Sequence, residues 1–308
     1  MTINYDKLSQ NSTKFLALTG YTVEEFQALL PNFQVQFDKY VSAKTLDGKN
    51  RARQYSEYKN SPLPTIADKL LFILIYLKQG ETQELHATLF GMHQSDANVW
   101  IHCLHPILNE ALADLGELPE RDAKTFSLGI QDVGGYFHDG TERPIPRPKN
   151  AEKQKEFYSG KKKCHTVKNI LIIGALCKII LLTITCEGKK HDKKIADESK
   201  YSFPEGSQLY QDTGFQGFTI AGITIIQPIK KPRGKELTQE NKENNRLISQ
   251  IRIRIEHAIG GVKRYRIVKD KVRAWKNNFR DKVMETCCGL HNFRLNFRPW
   301  SYDEPATA

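Results

Sequence analysis

The chain has 308 residues, 39% of them hydrophobic and 10% aromatic, so it is long enough for one large globular domain and a smaller one. Its first residues form no apolar run, and its six scattered cysteines form no C-x-x-C pair. We therefore expect no signal peptide, no zinc site and no disulfide framework. The net charge of +11 favours a polyanionic partner, most commonly nucleic acid.

The positive charge is concentrated in the C-terminal part of the chain. Residues 1–130 contain 12 Lys and Arg against 15 Asp and Glu, whereas residues 143–194 contain 14 against 4 and residues 230–282 contain 17 against 6. Charge alone also leaves open an ordinary soluble basic protein.

The longest apolar stretch, Asn169 to Cys186, is interrupted by Lys178 and rich in β-branched residues. This pattern predicts two buried strands and no membrane span. We expect a cytoplasmic, nucleoid-associated protein without a membrane partner.

Residues 1–60 are predicted to form a helical segment followed by a loop. Apolar residues from Phe15 to Leu30 follow a helical spacing, and Thr22 is suited to cap a helix. The polar and basic stretch from Lys44 to Asn60 is typical of an exposed loop.

Residues 61–120 are predicted to form a helix-turn-helix domain. An amphipathic helix that ends at Gly80 is followed by a short helix, Thr82 to Phe90, and by a turn at Gly91. Ser95 is placed to cap a third helix, and Pro106 predicts a kink or a new helix. The apolar face of the first helix contains Ile66, Leu70, Ile73, Leu74 and Leu77.

The third helix is an unusual recognition helix, because Ser95 to His105 contains no Lys or Arg. Gln94, Asn98 and His102 are polar enough to contact base edges, but affinity for phosphates would have to come from elsewhere. A helical bundle that packs or dimerises is the alternative.

From Phe126 onward the sequence is rich in short β-type runs. Strands are predicted at Val133–His138, His165–Gly174, Ile179–Cys186, Ser207–Gln211 and Ile220–Ile226. Helices are predicted at His191–Glu198 and Thr238–Gly260, and Gly260-Gly261 should end the second helix or let it approach another segment closely. This order describes an α/β domain of the ribonuclease H kind.

Three carboxylates lie where two-metal phosphoryl transfer would require them. Asp139 and Asp212 each end a predicted strand, and Glu256 lies on the flank of the long helix, four residues after Arg252. Two Mg²⁺ or Mn²⁺ ions about 3.5–4 Å apart need such oxygen ligands on rigid elements. Taken singly, each carboxylate is more simply structural or solvated, and Glu256 could be an ordinary ion-pair partner of Arg252.

Six sequence runs resemble the DDE-class insertion-sequence transposases, in the group related to Harbinger elements. They are DGTERPIPRP (139–148), YSGKKKCHTVKN (158–169), HDKKIADES (191–199), QDTGFQG (211–217), KKPRGKELT (230–238) and RIEHAIGGVKRYRIV (254–268). The resemblance implies a helix-turn-helix followed by a ribonuclease H-like catalytic domain at residues 126–298, with residues 299–308 as a tail. It assigns Asp139, Asp212 and Glu256 as catalytic metal ligands.

Two other aspartates compete for roles in this site. Asp132 precedes Val133-Gly134-Gly135, whereas the family motif places its aspartate directly before Gly-Thr-Glu-Arg, which favours Asp139. Asp192 is better explained, together with His191, as the cap of a helix. Cys164 replaces the basic residue that family members usually have before His165.

The same runs suggest a DNA-binding set. Arg143 and Arg147 are expected to hold phosphates near the metals, and the basic run around Tyr158 is expected to bind a transposon end. A solvated basic face is the simpler explanation of any single lysine. The full set is Gln94, Asn98, Arg143, Arg147, Tyr158, Lys161, Lys162, Lys163, His165, Lys168, Lys231, Arg233, Lys235, Lys263 and Arg264.

The expected function is transposition of DNA through two Mg²⁺ or Mn²⁺ ions. Water cuts the ends of the element, and the freed 3′-hydroxyl then attacks target DNA, so double-stranded DNA is the partner. Acting on two ends implies at least a homodimer in the working complex. The alternatives are a catalytically silent DNA-binding protein and a metal-dependent nuclease without strand transfer.

Overall fold

The computed structural model of the chain describes residues 2–122, 135–274 and 278–302. The start of the β-rich region at Phe126, the first residues of the predicted strand Val133–His138, and Asp132 lie outside the described residues. Within the described ranges, no helix is long and apolar enough to cross a membrane.

Helices and strands alternate only in the second half of the described chain. The helices are α1 (Tyr5–Leu8), α2 (Ser12–Thr19), α3 (Val23–Ala43), α4 (Ile66–Gln79), α5 (Gln83–Phe90), α6 (Gln94–Asp114), α7 (Ala151–Phe157), α8 (Asp192–Ser199), α9 (Gln239–Lys263), α10 (Arg266–Lys269) and α11 (Phe279–Leu295). The strands are β1 (Tyr136–Pro144), β2 (Tyr158–Ser159), β3 (Cys164–Ile173), β4 (Ile179–Leu182), β5 (Cys186–Glu187), β6 (Gln208–Gln211) and β7 (Thr224–Ile226).

The chain divides into two compact units that alternate along the sequence. The helical unit contains α1–α6 together with α10 and α11, and the sheet unit contains β1–β7 with α7, α8 and nearly all of α9. The predicted catalytic domain, residues 126–298, includes the residues of α10 and α11. The predicted domain boundaries stay a prediction.

Several predicted helix ends in the helical unit are confirmed. Thr22 and Glu25 form a capping box at the start of α3, in which each side chain accepts a hydrogen bond from the other residue's amide. Thr82 caps α5, and Gly80 and Gly91 end α4 and α5 in the left-handed conformation.

One prediction for the third helix is wrong, and of the two outcomes predicted at Pro106, a kink or a new helix, the new helix does not occur. Ser95 does not cap α6, because His93 is the extended residue before the helix and Gln94 already has helical geometry. No new helix begins at Pro106, since α6 runs without interruption from Gln94 to Asp114. The neighbours Leu104 and Ile107 are buried, and this packing offsets the backbone hydrogen bond that a proline removes.

The sheet of the second unit has strand order β2-β3-β1-β6-β7, and β4 and β5 also pair with β3. β1 is antiparallel to β3 and parallel to β6, and β6 is parallel to β7. Three antiparallel strands followed by two parallel ones, with helices between them, form the expected ribonuclease H-like arrangement.

The strands differ in extent from those predicted. β1 continues through Asp139 to Pro144, because the polar residues after His138 pair with β3. The run Ile179–Cys186 forms two short strands, β4 and β5, which pair with different parts of β3. α7 was not predicted, and Asn150 caps it by accepting a hydrogen bond from the Lys153 amide.

Helix α9 is longer and less buried than its sequence pattern indicates. Gly260 and Gly261 do not end it, since it continues to Lys263. The predicted apolar stripe is buried only at Ile255, Ala258 and Val262, whereas Leu247 is 52% exposed.

A hydrophobic core supports the sheet next to the carboxylates. Ile170 and Ile172 of β3, Leu209 of β6 and Ile195 of α8 are buried in one cluster with Phe215. β1, β6 and α8 therefore have fixed neighbours, and the site residues are attached to these three elements.

Candidate active site

Asp139 and Asp212 occupy equivalent places on two neighbouring parallel strands. The last residue pair between β1 and β6 is His138 with Gln211, so the next residues are Asp139, which is still within β1, and Asp212, which directly follows β6. Asp139 lies inside β1, opposite Leu171 of β3, and is not at the strand end that was predicted. Ligand sites in α/β sheets form where parallel strands end in this way.

Asp212 is held by the tight turn that follows it. Its side chain accepts a hydrogen bond from the Gly214 amide at 2.6 Å, and the chain continues as a short 3-10 helix, Thr213–Phe215. Phe215 is buried and anchors this turn in the core. Asp139 accepts a hydrogen bond from the Gly140 amide at 2.7 Å.

The electrostatics of Asp139 show that the two carboxylates are close together. Burial, followed by the negative charge of Asp212, raises the pKa of Asp139 to about 6. The Gly140 amide and the Arg252 guanidinium oppose this rise. A cation near both carboxylates would favour their ionised forms.

The aspartate pair fits a divalent ion, because Mg²⁺ and Mn²⁺ prefer carboxylate oxygen. Within the described ranges, however, no three His, Cys, Asp or Glu side chains form a group that could hold a metal ion. Among the described residues, the two aspartates are therefore not joined by a third side chain in a geometry that could hold the same metal ion.

Glu256 is exposed on α9. Among the described residues it has no ion pair with Arg252 and no hydrogen bond to either aspartate. Arg252, about one turn earlier, is the α9 residue whose charge acts on Asp139. The catalytic role of Glu256 stays a prediction.

Asp192 is packed against both aspartate segments. A Cβ atom added at Gly140 would lie 2.8 Å from Asp192 Oδ1 and 2.9 Å from its Cγ, and one added at Gly214 would lie 3.6 Å from Oδ2. Asp192 is the first residue of α8, and the His191 side chain before it makes no capping hydrogen bond. Asp192 therefore belongs to the acidic site, where it raises the pKa of Asp139 slightly further.

Lys168 is the counter-ion of this acidic group. Its nearly buried ammonium lies 3.0 Å from Asp192 Oδ1 and 3.5 Å from Glu142 Oε1, and it donates a hydrogen bond to the Lys190 carbonyl. As placed, Lys168 neutralises protein carboxylates and is not exposed to a phosphate. Its predicted DNA contact would require these pairs to open.

The two predicted phosphate-binding arginines have different surroundings. Arg143 is fully buried, and its Nη2 donates hydrogen bonds to Asn169 Oδ1 at 2.7 Å and to Thr185 Oγ1 at 3.0 Å. It therefore connects β1 with β3 and with the segment between β4 and β5. Arg147 is exposed and donates to Gln154 at 2.8 Å. Only Arg147 is available to a phosphate without rearrangement.

The predicted basic segments are exposed. Lys161, Lys162 and Lys163 lie between β2 and β3, where the ring of Tyr158 packs edge-on against His165. Lys231, Arg233 and Lys235 lie in the loop between β7 and α9, and Lys231 pairs with Glu236.

In the helical unit, the predicted base-reading residues are linked to the preceding helix. Gln83 of α5 accepts hydrogen bonds from Gln94 at 2.6 Å and from Asn98 at 3.1 Å. Lys263 and Arg264, the last predicted DNA contacts, belong to the same helical unit and are partly exposed.

Sequence reasoning missed the roles of three residues. Arg252 was treated only as an ion-pair partner, although its charge acts on Asp139. Asp192 was assigned to a helix cap and Lys168 to DNA, although they pair with each other. The signal was present in the motif Gly140-Thr-Glu142, whose glycine leaves room for a third carboxylate, but a strand register was needed to place Lys168 opposite Glu142.

Similar proteins are known for both units of the chain. A family model described as DDE superfamily endonuclease matches residues 138–292, and one described as helix-turn-helix of DDE superfamily endonuclease matches residues 61–114. No solved structure matches the chain.

Two named relatives cover most of the chain. A Microchaete diplosiphon protein named "Probable transposase for insertion sequence element IS702" is 29% identical over 76% of this chain and 82% of its own length. A Streptomyces albus G protein, named provisionally as the transposase for insertion sequence element IS112, is 27% identical over 80% of this chain and 86% of its own length.

Proposed function

Because the chain belongs to the DDE superfamily endonucleases and is a transposase of the insertion-sequence class, we propose that it cuts DNA at the ends of its element and joins those ends to target DNA. The observation that carries this proposal is the adjacent placement of Asp139 and Asp212 at the end of the β1–β6 pairing. Membership of the Harbinger-related group stays a prediction.

Asp139 and Asp212 would hold the catalytic Mg²⁺ or Mn²⁺. A divalent ion at this place supplies positive charge to the scissile phosphate and makes a bound hydroxyl more acidic. The raised pKa of Asp139 supports this role. It shows that the carboxylates lack enough nearby positive charge, which a bound divalent ion would supply. Glu256 is the proposed third ligand, and its carboxylate must approach the aspartates when DNA binds.

Phosphoryl transfer at this site proceeds in two displacements. Water attacks the phosphorus at the end of the element, and the bond to the 3′-oxygen breaks, leaving a 3′-hydroxyl and a 5′-phosphate. That hydroxyl then attacks a phosphorus of the target strand and displaces another 3′-oxygen. The two steps need no covalent bond to the protein, so the carboxylates do not act as nucleophiles.

The chain's own cations would position the DNA. We propose that Arg252, whose charge already reaches Asp139, stabilises the charge of the reacting phosphate. The exposed Lys161–Lys163 run, Arg147 and the 231–235 loop would contact more distant phosphates. Joining two element ends requires at least two copies of the chain in the working complex.

The experiment is a joining assay with duplexes that carry the terminal inverted repeats of the element and a supercoiled target plasmid. With Mg²⁺ or Mn²⁺, the full chain should release a 3′-hydroxyl at the repeat end and link it to the plasmid. Cleavage without joined product would identify a nuclease. Tight binding without cleavage in either metal would identify a silent DNA-binding protein.

A further inference from the structure

The last two helices of the helix-turn-helix, α5 and α6, have no positive side chain with which to hold a phosphate backbone. Neither α5 nor α6 contains Lys or Arg, and together they contain four acidic residues, Glu84, Asp96, Glu110 and Asp114. The whole stretch of residues 1–118 has 10 Lys and Arg against 13 Asp and Glu. If α5 and α6 approach DNA, the phosphate contacts must come from outside these two helices.

The segment Lys263–Asp270 brings positive charge to the helical unit. It contains Lys263, Arg264, Arg266 and Lys269 against a single acidic residue, Asp270. Within this segment, α10 packs on α4, and a Cβ atom at Gly80 would lie 2.8 Å from the backbone of Arg266 and Ile267. Tyr265 is buried and its hydroxyl hydrogen bonds with that of Tyr21 at 3.1 Å, so the segment is fixed in place.

Lys78, at the end of α4, extends this group of cations. A Cβ atom at Gly20 would lie 3.4 Å from Lys78 Cδ, so the lysine stem lies over the end of α2. Its ammonium donates a hydrogen bond to the Arg264 carbonyl at 3.0 Å. Burial lowers the pKa of Lys78, and the charges of Arg264, Arg266 and Lys269 lower it further, so each of these three cations lies close enough to repel Lys78.

Arg266 and Lys269 are the exposed members of the group. They are three residues apart on α10 and share its outer face, whereas Ile267 and Val268 are buried beneath it. The ion pair of Arg266 with Asp270, at 2.9 Å, is exposed and therefore contributes little.

A structural role explains only part of this arrangement. Lys78 satisfies a backbone carbonyl near two helix ends, which is a common place for a lysine. That role does not account for Arg266 and Lys269, which point to solvent and add repulsion within the group.

We propose that Lys78, Arg264, Arg266 and Lys269 form the surface through which the helical unit holds the phosphate backbone of double-stranded DNA. This inference rests on the proposed function, since it assumes that the chain binds DNA. It assigns most of the phosphate contacts to a segment that lies within residues 138–292 in sequence but belongs to the helical unit, and leaves base contacts to α6.

The test measures binding of the full chain to a duplex of unrelated sequence at several salt concentrations. Arg266→Gln/Lys269→Gln should weaken binding about tenfold near 0.1 M salt and reduce the slope of log affinity against log salt by about 1 to 2, because each lost contact removes about 0.9. The matched control is Lys14→Gln/Lys39→Gln, which removes two exposed lysines of the same unit outside the group.

Asp270→Asn is the second variant. It removes the carboxylate that competes for Arg266 and keeps all four cations, so it should tighten binding two- to fivefold. The inference is overturned if the Arg266/Lys269 variant and the Lys14/Lys39 control have the same salt slope, or if Asp270→Asn leaves affinity unchanged. Wild-type protein that binds no duplex at all would instead reject the proposed function.

Discussion

Three negative charges lie close together at the candidate site, those of Asp139, Asp212 and Asp192. Among the described residues, Lys168 is the only cation within ion-pair distance of any of them, and its partner is Asp192. The two glycines next to this group, Gly140 and Gly214, allow the close approach of Asp192. The spacing of the carboxylates therefore depends on residues that carry no functional group.

Gly140→Ala tests this dependence. The new methyl group would lie 2.8 Å from Asp192 Oδ1, so Asp192 must move away from Lys168. We expect DNA cleavage to fall at least tenfold and the free energy of unfolding to fall by about 1–3 kcal/mol. A gel assay measures DNA cleavage, and urea unfolding measures the free energy of unfolding.

Gly160→Ala is the matched control, because no atom lies within 4 Å of the added Cβ. It should change neither quantity. Equal activity of the two variants would show that the Asp192 contact is irrelevant to catalysis.

Glu256→Gln separates a catalytic carboxylate from an ordinary surface residue. Glu256 is exposed and forms no hydrogen bond or ion pair with the described residues, so its replacement should leave the thermal midpoint within a degree or two. As the proposed third metal ligand, however, it should be needed for cleavage, and we expect at least a hundredfold loss. Wild-type cleavage rates in this variant would remove Glu256 from the site.

At the level of helices and strands, α6 and α11 are joined in the helical unit by a buried polar contact. His105 of α6 hydrogen bonds with Thr286 of α11 at 3.0 Å, and its ring packs against Phe279. Burial lowers the pKa of His105 to about 3. The imidazole is therefore neutral in the folded protein at neutral pH.

This contact predicts acid sensitivity of the helical unit. An unfolded histidine has a pKa near 6.5, so the unfolded state binds the proton first as the pH falls. The stabilising contribution of the neutral His105 to folding is complete above pH 6.5. As the pH falls from 6.5 to about 3, the free energy of unfolding decreases by about 1.4 kcal/mol per pH unit. In His105→Gln, the urea midpoint should decrease less between pH 7 and pH 4.5 than it does in the wild type.

The control for this experiment is His93→Gln, which replaces an exposed histidine before α6. Its unfolding should show the same pH dependence as the wild type. If His105→Gln also keeps the wild-type dependence, the acid sensitivity has another origin.

Most elements could be predicted from the sequence where local rules decide them. Thr22, Thr82, Gly80 and Gly91 are capping residues, and the structure uses all four as caps. Gly260 and Gly261 misled the prediction, because glycine is compatible with the interior of α9 once the neighbouring Ile255, Ala258 and Val262 are buried.

Only part of the site could be predicted, because the sequence shows where strands end but not how they pair. Asp139 and Asp212 were found because each follows an apolar run. The pairing of Lys168 with Glu142 and Asp192 depends on the register of β1 with β3 and on the position of α8, neither of which can be obtained from spacing along the chain.

For the molecule as a whole, the charge of each compact unit cannot be obtained by counting charged residues along the sequence, because each unit combines segments that are distant in sequence. Residues 1–118 are net negative, and the helical unit gains its positive segment from residues 263–270. The sequence predicted that phosphate affinity had to come from outside the recognition helix. Only the fold identifies which segment joins that unit.

The central claim is that Asp139 and Asp212 together carry out DNA cleavage. The most direct measurement is the rate of cleavage of a terminal-repeat duplex in Mg²⁺ by wild type, Asp139→Asn and Asp212→Asn, at protein concentrations that saturate the DNA in each case. We expect at least a hundredfold loss of rate in both variants, with DNA binding retained. Cleavage at the wild-type rate by either variant would contradict it.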